Sequence, residues 1–223
     1  MYNSIHISCY TLNIAFKSER GVIYMLNINV VPAGVYEANC YILVDDASKE
    51  CAVIDAGGDA GKIKAAIESM HGKPKYLLLT HGHFDHVGGV EEICSAYNIP
   101  FYISRVDEEY MAKDNSVYGT LPKASGYLKE GDVLKLGLYE IKVIETPGHT
   151  KGGLCFAVDN KVFTGDTLFQ GSVGRTDFIG GDMEEIINSI KTKLLPLGDD
   201  VRVYPGHGPS SSIGFEKMRN PYL

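Results

Sequence analysis

The sequence predicts an α/β fold in which two β-sheets pack face to face with helices on the outside. Short β-rich runs bounded by turn residues lead into amphipathic helical stretches, and this order occurs twice along the chain. No low-complexity linker separates the two rounds, so they read as halves of one domain. At 223 residues, with 44% hydrophobic and 22% charged residues, the chain has the length and composition to bury a sizeable core.

In the first round, "LNINVV", "NCYILVDD" and "ECAVIDAGG" within residues 26–58 are strands, and the polar "DDASKE" is a hairpin loop. A helix follows with Ile63, Ala66, Ile67 and Met70 on one face. "YLLLT" is a continuous apolar run, as expected of a strand buried on both sides. A helix over residues 88–97, a strand at "PFYIS" and a short acidic helix near "VDEEYMA" complete this half. In the second round, "DVLKLGLYEIKVIE" gives two strands joined through Gly137, and "GGLCFAVDNKVFTGDT" two more turning at Asp159 and Asn160. Asp182 caps a helix with apolar positions Met183, Ile186, Ile187, Ile190 and Leu194, and Glu185 stands where a capping box needs it. "VRVYPGH" is the last strand. "GGDAGK" (residues 57–62) has the wrong spacing for a phosphate-binding loop and reads as a strand-to-helix turn.

The stretch "KYLLLTHGHFDHVGGV", residues 75–90, places three of the chain's seven histidines and an aspartate within six positions. Side chains at i and i+2 of an extended chain point to the same side, so His81 and His83 can reach one ion. Asp85 and His86 come as the chain bends towards the next helix and are better placed for a second. Nitrogen and carboxylate ligands at this density suit a zinc-like or iron-like metal. The plainer reading, polar loop residues, leaves three mutually repelling imidazoles without a reason. His149 in "ETPGHTKGG", Asp166 in "VFTGDT" and His207 in "VYPGHGP" also stand at strand ends, where rigid elements can converge on one point. His6 and His71 read as incidental surface residues.

The pattern resembles the metallo-β-lactamase superfamily, whose H-x-H-x-D-H signature stands here as "HGHFDH". The resemblance runs from about residue 25 to the end and implies a four-layer αββα sandwich with the site at one edge. It implies that His81, His83 and His149 hold one metal ion, that Asp85, His86 and His207 hold a second, and that Asp166 bridges them. Two divalent ions are expected, zinc first, with iron or manganese as alternatives. Asp55 in "AVIDAGG" matches an aspartate that supports the ligands from behind; its plainer role is a turn residue or helix cap. Residues 1–24 precede the resemblance and read as an extension without a catalytic role, with Met25 a natural start.

"GDTLFQGSVGRTDF" and "VYPGHGPSSSIGFEKMRNPYL" are similar to the short glyoxalase II-like hydrolases and to the persulfide dioxygenases, which share "GRTDF". The implied activity is hydrolysis of a thioester such as S-lactoylglutathione. Two cations flanking one water lower its pKa to about 7, and the resulting hydroxide attacks the thioester carbonyl. Asp85 could also hold or relay a proton, a role that ligation restricts. Arg175 is the candidate substrate contact, with pairing to Asp177 as its alternative. Glyoxalase II proper carries a further C-terminal helical domain, for which this chain stops too soon. True β-lactamases usually place a cysteine where Asp166 stands and lack a counterpart of His86. Two other activities stay open: a mononuclear iron persulfide dioxygenase using His81, His149 and Asp166, and a metal-dependent hydrolase of another ester, lactone or amide. A non-catalytic metal-binding protein fits less well, because the ligand set leaves coordination positions for water and substrate.

Composition narrows the partners. A net charge of −7, a pI near 5.5 and no Lys/Arg cluster argue against nucleic acid. No apolar run reaches 18 residues, and the first positive charge, Lys17, follows rather than precedes the apolar N-terminal segment, so neither a membrane span nor a secretory signal is expected. Five widely spaced cysteines without C-x-x-C read as a reducing compartment. The expectation is a cytoplasmic enzyme acting on a small molecule.

Overall fold

The computed structural model describes residues 15–17 and 23–223. His6, Cys9 and most of the expected extension lie outside the described residues. The first sheet has seven strands in sequential order: β1 (Ala15–Lys17), β2 (Ile23–Ala33), β3 (Ala38–Asp45), β4 (Glu50–Ile54), β5 (Lys73–Leu78), β6 (Phe101–Ser104) and β7 (Gly126–Leu128). The expected extension therefore contributes a strand, since Ala15 of β1 pairs with Met25 of β2. From β4 to β7 the strands are parallel, and helices make the crossovers: α1 (Ala60–Ser69), α2 (Phe84–Val87), α3 (Val90–Tyr97) and α4 (Arg105–Met111).

The second half contains β8 (Val133–Leu136), β9 (Tyr139–Glu145), β10 (Leu154–Val158), β11 (Lys161–Gly165), β12 (Leu168–Phe169), β13 (Ser172–Val173), α5 (Met183–Ser189), β14 (Arg202–Pro205), β15 (Ser211–Ser212) and α6 (Ile213–Arg219). Its six-stranded sheet has the order β15-β14-β11-β10-β9-β8, and β12 and β13 form a separate hairpin.

Period-two alternation divides the strands between cores. On β3, Cys40, Ile42 and Val44 face the helices, while Tyr41 and Leu43 face the other sheet. On β10 and β11, Phe156 and Phe163 fill the same inter-sheet core, and Cys155 and Val162 turn outward to Ile186, Ile190 and Leu194. Three apolar layers thus separate four layers of structure, the predicted αββα sandwich.

Apart from the seven-residue α6, most elements that the sequence analysis left out are short. β7, the β12–β13 hairpin and β15 run two or three residues each, too few to show periodicity. The helix at 183–194 is α-helical only to Ser189 and continues as a π-type turn, Ile190–Leu194. Asp182 caps it by accepting from the Glu185 N–H at 2.9 Å. The Glu185 carboxylate does not complete a capping box, because it pairs with Lys151.

Candidate metal centre

Strand direction brings the candidate residues together. β9 and β11 both run antiparallel to β10, and β14 is parallel to β11, so all three end at the same edge of the second sheet. His149, Asp166 and His207 follow those three ends. At the facing edge, the first sheet delivers His81 and His83 just beyond β5. His83 stays extended (φ −67°, ψ 147°) as the N-cap of α2, and Asp85 and His86 ride on that helix. The one-turn helix explains their divergence from His81 and His83, where the sequence suggested only a bend.

Three groups of ligand atoms lie within 4.8 Å of one another: His81, His83 and His149; His81, His86 and Asp166; and Asp85, His86 and His207. His149 Nε2 is 3.0 Å from His83 Nδ1, and His86 Nε2 is 3.3 Å from His207 Nε2. Asp166 lies between the clusters, with Oδ1 3.4 Å from His86 Nε2 and Oδ2 3.6 Å from His149 Nε2 and 3.7 Å from His207 Nε2. Asp85 Oδ2 is 3.2 Å from His207 Nε2.

Hydrogen bonds at the back of the site set the imidazole tautomers. The Thr80 hydroxyl donates to Asp55 Oδ2 at 2.7 Å, so it accepts from His81 Nδ1–H at 3.0 Å. His149 Nδ1–H donates to the Arg175 carbonyl at 2.7 Å, and His86 Nδ1–H donates to Asp55 Oδ2 at 2.9 Å. The Nε2 atoms of His81 and His149 then present their lone pairs to the centre. His81 Nε2 and Asp166 Oδ1 are buried there without a hydrogen-bond partner. Unpartnered buried acceptors carry a free-energy cost of about 1–3 kcal/mol each, which a cation would remove. The donor set therefore fits a metal ion.

Electrostatics agree with that fit. Burial, then the neighbouring imidazoles, hold His81 well below the ordinary histidine range, and the same causes push His83 down to about 3. These imidazoles are neutral at pH 7. Burial alone would lower His86 too, but Asp166 and Asp55 outweigh it and raise it. Burial would raise Asp166, yet His86, His149 and His207 keep it a carboxylate.

Asp55 is not a helix cap: Asp59 stands at the start of α1. It is 1% exposed, and its carboxylate also accepts from the Thr80 N–H at 2.8 Å. A cleft of about 310 Å³ opens over the centre, and its lining includes Tyr36, Phe84, Val117, Phe178 and Arg175. Arg175 makes a two-pronged pair with Asp177 (2.7 Å each) and lies over the Phe178 ring at 3.9 Å. The alternative weighed for Arg175 is thus its resting arrangement. The apolar lining carried no sequence signal, because single aromatic residues in loops are commonplace. Cys40, Cys51 and Cys155 are buried and Cys94 half-buried; burial pushes Cys51 and Cys155 up to about 12, and none lines the cleft.

Residues 33–207 match the model of the metallo-beta-lactamase superfamily. The chain belongs to that superfamily. Among the relatives of this superfamily member is hydroxyacylglutathione hydrolase GloC of Haemophilus influenzae, 39% identical over 209 residues that cover 89% of this chain and 98% of that protein. The fold superposes on BLEG-1, a B3 metallo-beta-lactamase, with a TM-score of 0.81 and 33% identity, covering 88% of this chain and 99% of that one. A second similar structure, TTHA1623 in a di-iron-bound form, has a TM-score of 0.75 and 34% identity, covering 87% of this chain and all of that one (100%). A protein named as a β-lactamase is thus among the similar structures, although Asp166 and His86 depart from the usual lactamase pattern. Among the described residues no helix is long and apolar enough to cross a membrane.

Proposed function

We propose that this chain is a metal-dependent thioester hydrolase with S-lactoylglutathione as its representative substrate. The observation that carries the reading is the convergence of two ligand sets across Asp166 under an open cleft. The similarity to GloC, named for hydrolysis of hydroxyacylglutathione, supplies the substrate class. In this reading His81, His83 and His149 would hold one ion, Asp85, His86 and His207 would hold the other, and Asp166, which lies between the two sets, would serve both. Asp55 orients His86 and, through Thr80, His81. When bound, two divalent cations would acidify a shared water to a pKa of about 7 and polarise the acyl carbonyl. Zinc is the first choice, with iron or manganese as alternatives; the di-iron form of TTHA1623 supports testing iron.

The chain's own side chains supply placement. Tyr36, Phe84 and Phe178 form an apolar wall that shields the reacting carbonyl from bulk water. Arg175, on release from Asp177, offers a guanidinium to a substrate carboxylate. Asp85, paired with His207, has little freedom to move a proton, and we give it at most that secondary role. The enzyme is proposed to act in the cytoplasm on a small molecule, with no catalytic part for residues 1–24.

The persulfide dioxygenase reading would use His81, His149 and Asp166 alone and leave the convergence of Asp85, His86 and His207 unused. The test is loss of the thioester of S-lactoylglutathione by protein reconstituted separately with zinc and with iron. Rapid metal-dependent turnover at two ions per chain is expected. Absence of turnover with either metal would overturn the reading; persulfide-dependent oxygen uptake would then favour the dioxygenase, and turnover of a lactone or β-lactam the broader hydrolase.

A further inference from the structure

Asp107 lies in the short acidic helix α4, yet it is 0% exposed. Its carboxylate meets three donors. Oδ2 accepts from the Gly82 N–H and the Thr150 hydroxyl, both at 2.9 Å, and Oδ1 accepts from the Gly152 N–H at 2.8 Å. Gly82 stands between His81 and His83, while Thr150 directly follows His149. One side chain thus joins the loop that carries two histidines of the first sheet to the loop that carries the histidine of the second. Asp107 is itself held in place, since its N–H donates to Ser104 Oγ at 3.0 Å at the helix cap.

The approach is close. A Cβ at position 152 would stand 2.6 Å from Asp107 Oδ1 and 2.1 Å from Ser104 Oγ, so only glycine lets that loop reach α4. The chemistry is specific as well. An ionised carboxylate is acceptor-only and can serve all three donors; an amide would turn its NH₂ towards one of the two backbone N–H groups in either orientation. Burial, only partly offset by the three donors, pushes Asp107 up to about 6. The charge therefore costs the fold stability rather than adding to it, which points to a role in placement.

We propose that Asp107 is the positioning residue of the first ligand set, holding His81, His83 and His149 at the separation at which they share one ion. The proposal rests on the ligand sets given above. It divides the work between two buried aspartates: Asp55 secures His86 and Thr80, and Asp107 secures the loops on either side of the His83–His149 contact.

The test is titration of the full chain with cobalt(II), followed by visible absorption. His83→Ala and His207→Ala serve as references for the two positions. In Asp107→Asn, the position lost in His83→Ala is expected to bind cobalt about 10–100-fold more weakly, with the His207-dependent position near wild type. Thr150→Val removes one of the three bonds without touching the carboxylate. It should weaken the same position several-fold, and Thr150→Ser should restore it. Wild-type affinity at both positions in Asp107→Asn or Thr150→Val would overturn the proposal, as would equal weakening of both positions. If Asp107→Asn does not fold, the Thr150 pair decides. Cobalt affinity judges the brace and thioester turnover judges the hydrolase, so each can fail alone.

Discussion

Asp55 sits in left-handed backbone (φ 53°) directly after β4, and its carboxylate collects the Thr80 N–H, the Thr80 hydroxyl and His86 Nδ1–H. Left-handed geometry is unfavourable for a residue with a Cβ, and the three bonds on the side chain hold it there. In Asp55→Asn the amide would turn an NH₂ towards either Thr80 or His86. The expected result is a 10–100-fold loss of metal affinity, read by chelator competition, with the His86-dependent ion affected first. Asp107 gives a second prediction at this scale. Its folded value of about 6 lies above the ordinary aspartate value of 3.8. A raised acid favours the folded state below pH 4, and that contribution is lost as pH rises through 6. Metal-free Asp107→Asn should therefore gain on wild type by about 2 kcal/mol between pH 4 and pH 7, measured as the difference in urea unfolding free energy. A pH-independent difference would show that the buried carboxylate is already relieved.

At the scale of elements, His81, His149, Asp166 and His207 sit in turns that follow strands, and those turns are as restrictive as the strands. The turn after β14 passes beneath Asp166: a Cβ on Gly206 would lie 2.2 Å from Asp166 Oδ1 and 2.7 Å from His86 Cε1. Gly206→Ala should keep the far-ultraviolet circular dichroism of the wild type and lose at least tenfold in metal affinity, because the clash falls on two candidate ligand side chains and not on the core. The Pro-Gly pairs before His149 and His207 were legible as turns; the tight fit of Gly206 against Asp166 and His86 was not, since it depends on β11 and β14 being side by side. α2 was equally hidden. Four residues are too few for a helical period, and the helix is defined by packing and by the Phe84 N–H bond to the Val117 carbonyl.

For the whole molecule, the site depends on the two sheets keeping their relation. Asn39 of β3 donates from Nδ2 to the carbonyls of Pro205 (3.0 Å) and Gly208 (2.9 Å), and the Tyr41 hydroxyl donates to the Pro205 carbonyl at 2.6 Å. These bonds join the first sheet to the turn that carries His207. Behind them, Phe156 and Phe163 fill the inter-sheet core, each fully buried. Phe156→Ala should cost about 3–5 kcal/mol by urea denaturation with an unchanged slope. A smaller loss, below about 1 kcal/mol, would mean that the sheets can close over the vacated space.

The sequence by itself determined the class of fold and singled out a small set of His and Asp residues of the kind suited to a metal site. Alternation along strands and the clustering of His and Asp at strand ends are local patterns, and local patterns survive in a linear string. The tertiary structure alone decided that β9, β11 and β14 end at one edge, that Arg175 rests on Asp177 and Phe178, and that Asp107 turns from an acidic helix into the space between two ligand loops. Those facts join residues dozens of positions apart, through hydrogen bonds and close contacts that exist only once the sheets have packed.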